Sequence, residues 1–308
     1  MKLTVIGCTG SMSGPLAPGS SYLVQEIDEQ GREWSIVVDL GPGAFGNLWN
    51  YTSPQKIDAL FFSHWHADHC SDALSMHVYR RWHPRITFEP LPVYSPGNGL
   101  ERLRQLDGFS KDDAFNEFIF HDFGVHNGIK VADEVHGQDN LFGKTASEGT
   151  ANIHLQSDIC NEGVAADNRL SDDLSTPGAP ITIGPLRIIP YQALHTVPAV
   201  SLRIESLISH AVLTYTGDTD MCPGVRAAAK DVDLLLSEAG FTDDDPCRGV
   251  HLSGVRAGQL AAEGEVGQLV LTHIQPWTDL QVPLNEARSV FQGKVKIAQM
   301  GDIFQLGD

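Results

Sequence analysis

Ten residues constrain this chain more than any other stretch: Phe61-Phe62-Ser63-His64-Trp65-His66-Ala67-Asp68-His69-Cys70. They set three histidines and an aspartate within six positions, directly after the apolar run Ile57 to Phe62. A buried strand that opens into an imidazole-rich loop needs a fold that surrounds the loop and satisfies its polar groups. Imidazole nitrogen and carboxylate oxygen suit zinc, and also manganese or iron. In extended backbone His64 and His66 project to one side, because side chains repeat every two residues. Asp68 and His69 follow in a turn able to face that pair, so one loop can supply ligands to two adjacent metals. The plain alternative is a solvated histidine run. The interspersed Trp, Ala and Asp and the preceding strand argue against it.

Three later strand ends carry matching chemistry. His195 follows the strand-like segments between Ile181 and Pro190. Asp218 follows the apolar run Ala211 to Thr216, behind a glycine that permits tight packing. His273 ends the run Leu269 to Thr272. A lone Gly-Asp-Thr would be an ordinary turn, and a lone histidine a satisfied core residue. Beside the first cluster, a natural division gives one metal His64, His66 and His195 and the other Asp68, His69 and His273. Asp218 then bridges both. Glu238 leaves the buried strand Val232 to Ala239, and His251 precedes Ser253, whose hydroxyl can cap the helix through Ala257, Leu260 and Ala261. Asp39, at the end of the strand Trp34 to Asp39, is placed to orient a ligand from behind.

The rest of the pattern is β-rich, with helices between strands. Lys2 to Ile6 reads as a strand, and Tyr22 to Gln25 pairs with Trp34 to Asp39 across the polar turn Asp28 to Arg32. Helices are expected from Cys70 to Tyr79, Gly99 to Leu106, Asp220 to Lys230 and Val282 to Phe291. The turn Gly7 to Pro15 has two readings, a backbone cradle for phosphate or a plain loop; it lacks the P-loop and dinucleotide fingerprints. Arg80-Arg81-Trp82-His83-Pro84 likewise reads as a substrate contact or a surface turn, the turn being favoured. Between Lys111 and Pro180 the pattern weakens, although Phe115 to Phe123 is apolar enough to pack. Its histidines 121, 126, 136 and 154 have no compact ligand spacing. The stretch reads as an acidic insert, a cap over the site or a dimer contact.

Composition narrows the partners. With 39 acidic against 21 basic residues the formal net charge is -18, unlike a general nucleic-acid binder. Bound cations still allow one phosphodiester at the site. No leader peptide or membrane span is read, and five scattered cysteines form no disulfide framework, so a cytoplasmic protein is expected.

His64-Trp65-His66-Ala67-Asp68-His69 matches the HxHxDH signature of the metallo-β-lactamase fold superfamily, and His195, Gly217-Asp218-Thr219 and Thr272-His273 resemble its later ligand motifs in order. The resemblance spans nearly the whole chain. It implies a four-layer αβ/βα sandwich, one domain over residues 1–308 with the insert at about 111–180, and a two-metal site, most simply two zinc ions. More narrowly the chain resembles ribonuclease Z-like phosphodiesterases, where His251-Leu252-Ser253-Gly254 carries a further active-site histidine partnered by Glu238. The implied catalytic residues are Asp68, His251 and Glu238. Ribonuclease Z tends to have Glu-Ala-Thr where this chain has Glu238-Ala239-Gly240, and a Phe-Ser-x-Arg-Tyr continuation where it has Ile274-Gln275-Pro276-Trp277. The segments Leu3 to Pro15, Ser63 to Cys70, His251 to Ala262 and Leu271 to Thr278 look closer to actinobacterial cyclic-nucleotide phosphodiesterases. That likeness implies hydrolysis of cyclic AMP to 5′-AMP by metal-bound hydroxide, a small phosphodiester as partner, and neither membrane nor tRNA; a homodimer is left open. The alternatives are tRNA 3′ processing and hydrolysis of another ester, such as a lactone or thioester.

Overall fold

A computed structural model describes residues 1–108, 114–124, 175–245 and 248–307. The expected insert lies largely outside these residues, as do His126, His136 and His154. Among the described residues there are two seven-stranded sheets. The first contains β1 (Lys2–Gly7), β2 (Ser21–Ile27), β3 (Glu33–Val38), β4 (Ala59–Phe61), β5 (Leu91–Ser95), β6 (Phe118–Asp122) and β14 (Ile303–Gln305), in the order β14-β1-β2-β3-β4-β5-β6. The second contains β7 (Ile181–Ile183), β8 (Leu186–Gln192), β9 (Val200–Ser206), β10 (Val212–Tyr215), β11 (Leu234–Glu238), β12 (Gln268–Thr272) and β13 (Lys294–Ile297), in the order β13-β12-β11-β10-β9-β8-β7.

Strand alternation sorts side chains into layers. Along β2 and β3, Tyr22, Val24, Ile36 and Val38 face the second sheet, where they join Leu202, Ile204, Leu213, Tyr215 and Leu236 in one core. The intervening Leu23 and Val37 face outward, into a core shared with Leu48, Met76 and Leu103 of α1 (Ala44–Leu48), α3 (Ala73–Trp82) and α4 (Gly99–Asp107). On the far side, Leu235, Leu269 and Leu271 pack against Val225, Leu260 and Ala287 of α5 (Pro223–Ala228), α6 (Gly254–Glu263) and α7 (Gln281–Val290). Both faces of the central strands are therefore buried, which is why they read as nearly unbroken apolar runs. Fully burying each Leu, Val or Phe contributes about 1.5–3 kcal/mol. The result is the expected four-layer αβ/βα sandwich.

Several local expectations shift. The strand expected over Ile57 to Phe62 shortens to β4. Asp68 and His69 lie in a helical turn, α2 (Ala67–Cys70), that precedes α3. Phe115 and Phe118 are core residues, and β6 pairs parallel with β5. Ser253 caps α6 as expected, its hydroxyl accepting from the Arg256 N–H. Among the described residues, no helix is long and apolar enough to cross a membrane.

β3, β4, β5 and β6 run parallel in the first sheet, and β10, β11 and β12 run parallel in the second. Side chains leaving the carboxyl ends of parallel strands converge beyond the sheet, where open α/β folds place their ligands.

Candidate metal centre

The sequence motif begins where β4 runs out of pairing. The Ser63 N–H donates to Asp39 Oδ1 at 2.7 Å, and the Ser63 carbonyl accepts from the Val200 N–H at 2.9 Å. These bonds to both sheets aim His64 across the gap between them. His66 stays extended (φ -70°, ψ 149°) and opens α2, which swings Asp68 and His69 back toward the same space. Gly217 lets the facing strand approach. Its φ is +58°, and a Cβ there would lie 2.8 Å from Ser63 Cβ and from the Val200 carbonyl oxygen. Gly217→Ala is thus expected to destabilise the fold by about 1–3 kcal/mol, measured by denaturant unfolding, since left-handed backbone costs that much for a residue with a side chain.

The nine expected metal-binding and catalytic residues meet at this end of the sandwich. One candidate ligand atom from each of His64, His66, His195 and Asp218 lies within 4.8 Å of the others, and the same holds for Asp68, His69, Asp218 and His273. His66 Nδ1 is 3.0 Å from His64 Nε2 and 3.1 Å from His195 Nε2. A tetrahedral zinc with bonds of about 2.0–2.1 Å separates its ligand nitrogens by roughly 3.3 Å, so this spacing already approximates a coordination shell. In the second group His69 Nε2 is 3.2 Å from Asp68 Oδ2 and 3.2 Å from Asp218 Oδ1, and His273 Nε2 is 3.3 Å from Asp218 Oδ2. Asp218 belongs to both groups.

The site fits cations in its chemistry as well. His69 Nε2, His273 Nε2 and Asp218 Oδ1 are buried without a hydrogen-bond partner. Leaving such atoms unsatisfied costs about 1–3 kcal/mol each, and a shared cation would satisfy all three. Burial holds His64 well below the ordinary imidazole range, His195 down to about 3 and His273 down to about 4. Burial thus disfavours the imidazolium at these three rings, in the direction metal ligation requires. At His69 burial is outweighed by the Asp218 and Asp39 carboxylates, which hold the ring well above the ordinary range. Burial opposes ionisation of Asp218, but the imidazoles of His273, His69 and His64 hold it well below the carboxylate range. Asp68 behaves alike, brought down to about 2 against burial by the adjoining His69 ring, whose Nε2 lies 3.2 Å away.

The far nitrogens of four rings are pinned. His64 Nδ1 meets Ser63 Oγ at 3.0 Å, His69 Nδ1 meets Asp39 Oδ2 at 2.8 Å, His195 Nδ1 donates to the Val250 carbonyl at 2.9 Å, and His273 Nδ1 meets Ser20 Oγ at 3.1 Å. Such partners fix tautomer and ring direction. Asp39 thus stands behind His69, the side its position in the sequence suggested. Ser20, Ser63 and the Val250 carbonyl were not singled out as partners: a serine in a loop and a backbone oxygen carry no distinguishing pattern.

A third group lies alongside. His251 Nδ1 is 3.1 and 3.2 Å from the two oxygens of Glu238 and 3.9 Å from Asp218 Oδ2. Burial disfavours the imidazolium, yet the charge and hydrogen bond of Glu238 lift His251 to about 9. Glu238 is itself braced by the N–H groups of Thr219 (2.6 Å) and Gly240 (3.0 Å). Arg256 ties down the loop, donating to the His251 carbonyl at 2.8 Å and pairing with Asp220.

Two other motifs stand outside the candidate groups. In the Gly7 to Pro15 turn the N–H groups of Thr9, Gly10 and Gly14 donate to the carbonyls of Pro18, Ile274 and Ala17, so these donors are already engaged. Arg80 is buried in the last turn of α3, where it donates to the Glu89 carbonyl and covers the Phe88 ring, and Arg81 beside it pairs with Glu117; the expected surface turn is thus the end of a helix. His121 stacks on Tyr94 and joins none of the candidate groups.

Two sheets sandwiched between helices, with paired imidazole–carboxylate groups at the strand ends, describe a metal-dependent hydrolase. Residues 14–164 match the model of the Metallo-beta-lactamase superfamily, and residues 144–274 match that of the Beta-lactamase superfamily domain. An uncharacterized protein of Mycobacterium leprae is 31% identical over 307 residues, covering 99% of this chain and 89% of that one. The probable metallo-hydrolase YhfI of Bacillus subtilis is 27% identical over 307 residues, covering 99% and 100%. A crystal structure of YhfI aligns with a TM-score of 0.72 at 24% identity, over 98% of both chains. A ribonuclease Z of Myxococcus xanthus is 27% identical over 282 residues, 88% of each chain. The chain belongs to the metallo-β-lactamase superfamily. Members typically bind two divalent metals, and the two His/Asp groups fit that habit.

Proposed function

We propose that this protein is a phosphodiesterase that opens 3′,5′-cyclic nucleotides, converting cyclic AMP to 5′-AMP. The observation that carries the reading is the Glu238–His251 pair beside Asp218. Two metals can by themselves activate water for an acyl or a phosphoryl substrate, and a further cationic donor is the added feature here. A phosphodiester benefits from one, because its leaving oxygen must take up a proton and its phosphate bears charge.

In this reading His64, His66 and His195 would hold one cation, and Asp68, His69 and His273 would hold the other. Asp218 is common to both. Bound cations, zinc being the expected pair, supply Lewis acidity that activates water and offsets phosphate charge. Glu238 fixes the His251 ring through Nδ1, which leaves the Nε2 proton free for the leaving 3′ oxygen. The buried walls exclude bulk water and strengthen these interactions. A small substrate accords with the net charge of -18, which would repel a polynucleotide approaching over a wide surface.

Processing of tRNA 3′ ends is the second reading, favoured by the likeness to ribonuclease Z of Myxococcus xanthus. Against it, residues 111–180 contain only Lys111, Lys130, Lys144 and Arg169 as bases, too few for a tRNA-gripping arm. Turnover of cyclic AMP, cyclic GMP, bis(p-nitrophenyl) phosphate, a lactone and a precursor tRNA, measured side by side, separates the readings. The cyclic nucleotides are expected to give the highest kcat/KM. Faster cleavage of precursor tRNA would favour the second reading, and a lactone preference would overturn both.

A further inference from the structure

Proton counting around Ser63 connects the two candidate metal groups. Asp39 Oδ2 accepts from Ser63 Oγ, from Tyr215 OH and from His69 Nδ1, each at 2.8 Å, while Oδ1 accepts from the Ser63 N–H at 2.7 Å. A carboxylate has only acceptors and a serine hydroxyl only one proton. With that proton committed to Asp39, Ser63 Oγ can meet His64 Nδ1, 3.0 Å away, only as an acceptor. His64 must then carry its hydrogen on Nδ1, which leaves the Nε2 lone pair facing His66 and His195. Asp39, Ser63, His64, His69 and Tyr215 are all buried, so water offers no alternative partner.

We propose that Ser63 is a positioning residue, a one-proton relay through which Asp39 sets the tautomer of His64. One buried carboxylate thereby orients a ligand in each group: His69 directly, His64 through Ser63. The inference rests on the ligand reading given above, and it makes the two metal sites depend unequally on two neighbouring residues.

The test is zinc affinity, read by competition with a chromophoric chelator on the metal-stripped full-length protein. His66→Ala and His273→Ala each serve as single-site backgrounds. In the His273→Ala background, Ser63→Ala is expected to weaken the remaining site by about 10–100-fold, the usual effect of removing an outer partner of a metal-bound histidine. In the His66→Ala background it leaves affinity unchanged, whereas Asp39→Asn weakens both. Equal weakening in the two backgrounds, or none in either, overturns the relay. If neither histidine variant loses a zinc equivalent, the ligand reading itself fails, which is a separate result. Nitrogen-15 NMR of the metal-free wild type gives a check that needs no variant: His64 is expected protonated on Nδ1, and protonation on Nε2 alone would refute the proposal.

Discussion

His251→Ala is expected to lower kcat for a phosphodiester by roughly 10²–10⁴-fold, the range a positioned general acid contributes, while two metal equivalents stay bound. The ring lies outside the two groups assigned to the cations, standing with Glu238 and Asp218 in a third, and its Nδ1 is engaged by the two oxygens of Glu238. Glu238→Gln should produce part of the same loss, because an amide still occupies the space but no longer stabilises an imidazolium. A substrate whose leaving group needs no proton provides the internal control. Bis(p-nitrophenyl) phosphate releases a stable phenolate, so its kcat should fall much less than that for cyclic AMP. Metal analysis decides the issue. Loss of a metal equivalent from His251→Ala would make the residue a ligand and remove it from proton transfer.

Asp218→Ala should be the most damaging single change in the site. Its carboxylate lies 3.2 Å from His69 Nε2, 3.3 Å from His273 Nε2 and 3.7 Å from His64 Nε2, with 2% of the side chain exposed. Among the described residues, no other carboxylate belongs to both groups. Metal affinity is expected to fall by more than about 100-fold, beyond the 10–100-fold typical of outer-shell partners, and hydrolysis should drop to near background. Asp218→Asn keeps the shape and removes the charge. It should lose affinity to a similar degree if charge sharing between the metals dominates. Equilibrium dialysis of zinc against both variants reads this out, and retention of two tight equivalents by either would dismiss Asp218 as a shared ligand.

Much of the architecture was legible along the chain because its causes are local. Alternation along Tyr22 to Val24 and Ile36 to Val38 sends neighbouring side chains to different layers, which the core groupings display directly. The helix start at Ser253 was visible because its hydroxyl accepts from an N–H three residues on. Where local signals were thin, details moved. Asp68 and His69 form a helical turn, since the His69 N–H donates to the His66 carbonyl within four residues of a short loop. The pairing of β14 with β1 joins chain segments about 300 residues apart and left no signal that periodicity could carry.

The sequence by itself determined that His64, His66, Asp68 and His69 leave one buried strand together, because their spacing and the apolar run before them are covalent facts. It also marked His195, Asp218, Glu238, His251 and His273 as polar residues at the ends of apolar segments. How these residues divide into groups, and what stands behind each ring, came from the packing of the two sheets. Ser20 lies 253 residues from His273, and Tyr215 lies 176 from Asp39. Contacts of that range depend on two sheets packing face to face, and a hydrogen bond reaches only about 3 Å. The motif supplies the imidazoles and the carboxylate; the packing of β10 against β3 and β4 sets which atom of each one faces the shared space.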